Sequence, residues 1–332
     1  MADKVTAKLA LVEAGGNYFP SPNTRMEFIP SGCTLLDCVL GGGWPLGRIS
    51  NIVGDRSTSK TGLVMEACSN FAIKHPKGRI FYRESEAAFD VDYAASMGMP
   101  IERVEFAPPD KFFTVEDFFE DLSRILDELA KSNTPALYAL DSLDALSDRD
   151  ELEREIDKGS YGAAKAKKLS ELFRRLVQKI ERTRVCLLIV SQVRDNIGVS
   201  FGQQYSRSGG RALDFYASLI VYLAKIKTLD RTIGGVKRAT GITVRVKCTK
   251  NKISMPMREC DFDYEFGYGI NSVKASLDWL KSVGKLNADD AKITLNKLTD
   301  DEFFDLQDRL NEDIPHIWQE IEDKFRPKRR KY

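Results

Sequence analysis

The chain has 332 residues, 42% of them apolar and 30% charged, with a formal net charge of +1, so no overall field draws in an acidic partner. No run of about 18 apolar residues occurs, which excludes a membrane-spanning helix, and the N-terminus lacks the apolar stretch of a secretory signal. The six cysteines form no CxxC pair and most lie in apolar segments, the pattern of reduced thiols in a cytosolic protein.

In chain order, residues 1–30 offer one short helical pattern, Val5–Glu13, and then a Pro/Asn-rich loop. From Ser31, SGCTLLDCVLGGGWPLGRI predicts a capped helix with apolar positions at Leu35, Leu36, Val39 and Leu40, stopped by Gly41–Gly43. The apolar run Ile49–Val53 predicts a strand, followed by the loop Gly54–Thr61 and a helix over Gly62–Lys74. Further strands are expected at Arg79–Tyr82, Val104–Phe106, Ala136–Leu140 and Val185–Val190. Helices are expected between them at Val91–Met97, Thr114–Lys131 and Ala164–Arg182. Uninterrupted apolar strands that alternate with helices predict a mostly parallel sheet covered on both faces.

Beyond Ala217 the pattern changes. Ser218–Ile226 and Thr240–Lys247 read as neighbouring strands joined by a Gly-Gly turn, and Cys260–Phe266 as a third, giving an antiparallel edge. Residues 272–325 are helical in pattern. The organisation expected is an N-terminal arm over 1–30, an α/β core over 31–270 and a small helical region with a basic tail over 271–332. Charge is uneven: nine Lys/Arg against Asp230 alone between Lys225 and Lys252, then ten acids and one Arg between Asp300 and Asp323. Such blocks are commonly solvated faces, or a flap that competes for basic surface.

Strand, tight loop and helix N-terminus in this order converge backbone N–H groups and the helix dipole on anionic oxygens. Here the loop is Gly54, Asp55, Arg56, Ser57, Thr58, Ser59, Lys60 and Thr61, with Gly62 opening the helix. In such a loop the Lys is a point charge for β- and γ-phosphates and the Thr hydroxyl binds Mg²⁺. The usual spelling is G-x-x-x-x-G-K-[ST], and Ser59 stands where the second Gly belongs. An ordinary polar loop between strand and helix is the plain alternative.

The run Ala136–Asp141 ends an apolar strand on an acid, suited to holding Mg²⁺ beside Thr61 or else to capping a helix. Glu84 and Glu86 follow the neighbouring strand, where a carboxylate can orient or activate an attacking water; exposed loop acids would look the same. Gln192 ends the strand at 185–190 without a hydrophobic reason, and a neutral amide there suits a γ-phosphate contact. It opens VRDNIGVSFGQQYSRSGGR, a loop with four Gly and three Arg, Arg194 and Arg211 at its ends, and Ile197 and Phe201 able to wedge against bases. A plain surface loop is the alternative.

SGCTLLDCVLGGGWPLGRI, the loop Gly54–Thr61, SEAAFDVDYAASMG, LDSLDAL, SQVRDNIGVSFG, SGGRALDFYAS and VKCTKNKISMP together resemble the RecA family of DNA strand-exchange ATPases in its bacterial and phage branch. The resemblance covers about Ile29–Gly269, and the last three segments are more specific than any phosphate loop. It implies a RecA-type ATPase core using ATP and Mg²⁺. Lys60 and Thr61 would lie on the triphosphate and metal, with Asp141 as second metal partner. Glu86 matches the water-activating glutamate, and Gln192 the γ-phosphate sensor at the root of the second DNA-binding loop. Tyr93 and Phe266 fall where aromatic rings flank adenine. Lys250 and Lys252 match lysines that reach the neighbouring subunit's ATP.

For single-stranded DNA the resemblance implies Ile197, Gly198, Ser208, Gly209 and Gly210, between Arg194 and Arg211, and Lys167, Ser170 and Arg174 on the helix after the first loop. The partners it implies are single- and double-stranded DNA and further copies in a helical filament, in the cytoplasm and away from membranes. Ser59, the first loop at about Asp157–Gly162, the N-terminal arm and the region beyond about residue 285 depart from the family pattern. Two other readings stand beside the recombinase: another ATPase with the same core, such as a hexameric helicase or clock-type kinase, and a non-hydrolysing paralogue that binds DNA or regulates a filament.

Overall fold

The computed structural model describes residues 26–108, 112, 114–152, 162–195, 205–206 and 210–329, with residues 162–164, 194–195, 205–206 and 210–211 described by backbone alone. Phe28–Ile29 (β1) and Trp44–Pro45 (β2) pair with each other as a short antiparallel ribbon. The apolar runs become β3 (Ile49–Gly54), β4 (Arg79–Glu84), β5 (Val104–Phe106), β6 (Ala136–Asp141) and β7 (Val185–Gln192). Arg194–Asp195 (β8) pairs antiparallel with Tyr205–Ser206 (β9). The chain continues through β10 (Leu219–Ile233), β11 (Val236–Asn251), β12 (Arg258–Glu265) and β13 (Gly269–Ile270).

Among the described residues nine strands form one sheet in the order β13-β12-β11-β10-β3-β7-β6-β4-β5. The six from β10 to β5 are parallel neighbours, and β11, β12 and β13 add an antiparallel edge. The expected mostly parallel sheet with an antiparallel edge is therefore present. Every residue of β3 and β6 is buried, because helices cover both faces. Alternation along the strands splits the core in two. Ile52, Leu137, Leu188 and Val190 face the helices Thr34–Leu40 and Lys60–Lys74. Val53, Tyr138, Leu187 and Ile189 face Val115–Ser132 and Gly162–Glu181. Each fully buried aliphatic side chain contributes about 1.5–3 kcal/mol, so the sheet is the rigid frame of the molecule.

Several boundaries differ from the sequence reading. Strands β4 and β7 run on through Glu84 and Gln192, because Glu84 pairs with Asp141 and Gln192 with Gly54 on the neighbouring strands. Polar residues at strand ends are carried by the ladder, which hydropathy does not report. The antiparallel pair is also longer than its apolar parts. Pairing continues to Ile233 and Val236, where Gly234 and Gly235, with φ of 57° and 79°, make a turn that needs two left-handed residues. This outer half is exposed on both faces, so no alternation marks it. Residues 272–325 form two helices, Ser272–Ser282 and Asp300–Phe325, separated by short 3₁₀ turns.

Leu306, Leu310 and Ile314 of the last helix join the same core as Val244, Val246 and Phe262 of the sheet. Trp279 stacks on Trp318 at 5.7 Å, and Arg258 grips the Glu322 carboxylate with both Nε (2.7 Å) and a terminal nitrogen (2.6 Å). All six cysteines are unpaired. Among the described residues no helix is long and apolar enough to cross a membrane.

Candidate functional site

Strands β3, β4, β6 and β7 lie side by side and end together, so Gly54, Glu84, Asp141 and Gln192 gather at one edge of the sheet. Ligand crevices of open α/β sheets lie at this carboxyl edge. A cleft of about 660 Å³ opens there, lined by Arg56–Gly62, Glu86, Tyr93, Asp141, Gln192, Tyr264 and Phe266. The loop's glycines answer to close approach. A Cβ on Gly54 would stand 2.5 Å from the Thr58 hydroxyl, and one on Gly62 would collide with the Tyr264 hydroxyl. Ser57 and Ser59 both take left-handed backbone, with φ of 55° and 62°. The Gly that Ser59 replaces would sit there without the cost of roughly 1–3 kcal/mol that a side chain adds.

Lys60, the first residue of its helix, folds back so that Nζ donates to the Asp55 carbonyl at 2.7 Å. Burial pulls its ammonium below the ordinary value, while Asp141, Glu86, Asp55 and Asp144 pull the other way. A desolvated cation at a helix N-terminus is suited to a polyphosphate. Thr61 Oγ1 donates to Asp141 Oδ2 at 2.7 Å, and the Tyr82 hydroxyl donates to the same oxygen at 2.8 Å. Burial raises the Asp141 carboxyl, and the hydrogen bonds from Thr61 and Tyr82 lower it in part.

Among the described residues no group of three or more His, Cys, Asp or Glu side chains is arranged to hold a metal. One hydroxyl and one carboxylate in contact fit Mg²⁺, which commonly takes one or two protein ligands and completes its shell with phosphate oxygens and water.

Glu84 and Glu86 take different parts. Glu84 accepts from the backbone N–H groups of Glu86, Ala87 and Ala88 at 2.9–3.0 Å, bracing the turn. Glu86 is exposed at the cleft, where its Oε1 accepts from Ser142 Oγ at 2.5 Å and from Gln192 Nε2 at 2.9 Å. The Gln192 backbone N–H is held by Asp144 Oδ2 at 2.7 Å. A carboxylate from the turn after β4 and an amide from the last residue of β7 thus meet across the end of β6. Tyr93 and Phe266 are both exposed on the cleft wall, and Tyr264, whose hydroxyl lies against Gly62, is hydrogen-bonded to Tyr93.

Two predicted residues lie elsewhere. Lys250 pairs with Ile220 at the start of β10, whose own neighbour Leu219 pairs with Ser50 at the start of β3. That is the amino edge of the parallel strands, and the step from Ser50 to Gly54 alone spans about 13 Å. Lys250 Nζ donates to the carbonyls of Asp214 and Phe215, the latter at 2.9 Å, and Lys252 Nζ to Phe215 at 3.2 Å. These carbonyls close the helix Gly210–Tyr216.

Lys167 and Arg174 are exposed and Ser170 half-buried on one face of Gly162–Glu181, at helical spacing. The ring of Phe173, beside Arg174, stacks on Tyr216 at 6.4 Å, joining this helix to Gly210–Tyr216. Arg194 is placed by backbone in β8, and Gly210 and Arg211 open the helix Gly210–Tyr216. Ile197, Gly198, Ser208 and Gly209, and most of the loop 157–162, lie outside the described residues, as does the arm at 1–25.

The sequence reading did not single out Tyr82, Ser142, Asp144 or Tyr264. Tyr82 carried a usable signal: a tyrosine inside an otherwise buried apolar strand needs a partner for its hydroxyl.

Proteins from three organisms named Protein RecA are similar to this chain. That of Synechococcus sp. (strain CC9902) is 35% identical over 260 residues, 78% of this chain and 65% of the relative. That of Streptomyces avermitilis is 34% identical over 259 residues, 77% of this chain and 65% of the relative. That of Prochlorococcus marinus (strain NATL1A) is 35% identical over 254 residues, 76% of this chain and 64% of the relative. The chain thus spans just under two thirds of the length of these curated relatives. The family described as the RecA N-terminal domain matches residues 3–271, most of the chain, and it is to this family that the chain belongs.

Proposed function

We propose that this protein is an ATP-dependent recombinase that assembles as a helical filament on single-stranded DNA and pairs it with a homologous duplex. The observation that carries the reading is the Glu86–Gln192 hydrogen bond. It connects the cleft of the phosphate loop to the strand end from which the long Gly/Ser/Arg loop departs. In this reading Lys60 leaves the Asp55 carbonyl for β- and γ-phosphate oxygens, and Tyr93 and Phe266 hold the base. Thr61 and Asp141 hold Mg²⁺, which when bound neutralises charge developing on the phosphates. Glu86 orients the attacking water and takes its proton.

Gln192 donates to Glu86 here and would turn its amide to the γ-phosphate, so the state of the nucleotide reaches the loop it begins. Lys167, Ser170, Arg174, Arg194, Ile197, Gly198, Ser208, Gly209, Gly210 and Arg211 would face single-stranded DNA. Lys250 and Lys252, at the far edge in their own chain, would serve the ATP of a neighbouring copy. Binding through phosphates should weaken steeply with salt.

Hydrolysis of ATP with and without single-stranded DNA, beside Glu86→Gln, tests the reading. DNA should stimulate hydrolysis, and the variant should lose about 100-fold or more in rate, the scale of a missing general base. No hydrolysis with ATP-dependent DNA binding intact would overturn it in favour of a binding-only regulator. The left-handed Ser59 is the observation that speaks for that second reading.

A further inference from the structure

We propose that Tyr82 is a positioning residue for the metal-binding carboxylate: its hydroxyl, together with Thr61, holds Asp141 in the one orientation that receives Mg²⁺. The inference rests on the nucleotide and Mg²⁺ reading of the cleft and extends it to a residue on the neighbouring strand.

Tyr82 is fully buried in β4, with its ring against Phe89 at 4.7 Å and Phe106 at 5.9 Å. It pairs with Ala139 of β6, two residues before Asp141, so its side chain reaches along the sheet to the carboxylate. Among the described residues two side chains donate to the Asp141 carboxylate, both to Oδ2, one from the helix N-terminus and one from the neighbouring strand. A carboxylate pinned at one oxygen by donors from two rigid elements cannot swing, and it presents Oδ1 in a fixed direction. Hydrogen-bonded partners of metal ligands act in this way, and their removal typically costs 10–100-fold in metal affinity.

Tyr82→Phe removes the donor and keeps the ring. The measurement is binding of a fluorescent ATP analogue to the full chain, titrated against Mg²⁺ and repeated in EDTA. The variant should need about tenfold more Mg²⁺ for half-saturation, with binding in EDTA within twofold of wild type. In an Asp141→Asn background the same change should add nothing, because both act through one carboxylate.

Half-saturation unchanged within twofold would overturn the proposal, as would additive effects of the two substitutions. So would loss of binding in EDTA, since Tyr82 would then serve the fold. A wild-type chain that binds no nucleotide in either condition overturns the nucleotide reading itself, and this inference with it.

Discussion

The two ends of the parallel strands hold their cations in opposite ways. At the carboxyl end Lys60 is buried among the carboxylates Asp141, Glu86, Asp55 and Asp144, opposite a hydroxyl–carboxylate pair and facing a cleft. At the amino end Lys250 and Lys252 rest on carbonyls that close a short helix, a place where partial negative charge accumulates. The first end has donors, acceptors and an enclosed space. The second has donors with no cleft of its own phosphate loop within reach. Residue type alone does not distinguish these lysines; the strand direction does.

Lys60→Ala should produce the largest effect, because it removes a desolvated charge from the cleft. Affinity for a fluorescent ATP analogue should fall roughly 100-fold, the scale of one or two charge-assisted hydrogen bonds. A loss under threefold would erase the contrast and reduce Lys60 to a brace for Asp55.

Replacing Lys250 and Lys252 together with Ala should lower DNA-stimulated hydrolysis at least tenfold, as expected of cations supplied in trans to a phosphoryl transfer. Nucleotide binding by the dilute chain should stay within twofold of wild type. An equal fall in both would mean that these lysines support the fold rather than a neighbour.

The half-buried Asp37 and the buried Asp141 sharpen the comparison further. Asp37, at the amino end, accepts from the Ser31 N–H at 2.8 Å and is pushed up to about 7 by burial. Its folded value lies above the unfolded one of 3.8, so the folded state holds the proton more tightly. Stability contributed this way is full below about pH 4 and is lost as pH rises towards 7. Urea midpoints measured across pH 4–8 should decline through that window, and Asp37→Asn should flatten the decline. Asp141 is also raised by burial, but in the proposed reading it receives Mg²⁺, with which its proton would compete. Half-saturating Mg²⁺ should therefore climb as pH falls, starting above the range of an ordinary carboxylate.

Ser59→Gly should give the smallest change. Relief of the left-handed backbone is worth roughly 1–3 kcal/mol, offset by about 0.4–1 kcal/mol of chain entropy that Gly adds to the unfolded state. A rise in melting temperature of a few degrees is expected, and a fall would show that the Ser59 side chain makes a stabilising contact.

Much of this was legible in the sequence because the apolar middles of strands follow from hydropathy and loop chemistry follows from spelling. Gly54, Lys60, Thr61 and Asp141 could be placed at one edge before any coordinates. What pairs across the sheet could not. Tyr82 reaches Asp141 only because β4 lies beside β6 in a particular register, and Ser142 meets Glu86 for the same reason. The collision that keeps Gly62 bare comes from Tyr264, some 200 residues away in sequence. The outer half of the β10–β11 pair was missed because exposure on both faces removes the alternation that marks a strand.

The placement of Lys250 and Lys252 has an arithmetic consequence. If each copy lends these lysines to the next, n copies in a row complete n − 1 sites. One terminal member keeps a phosphate cleft without visiting lysines, and the other displays lysines with nothing to serve. Rate per chain would then grow with assembly length and approach its ceiling only in long rows, so fragmentation alone would slow the reaction without altering a single residue.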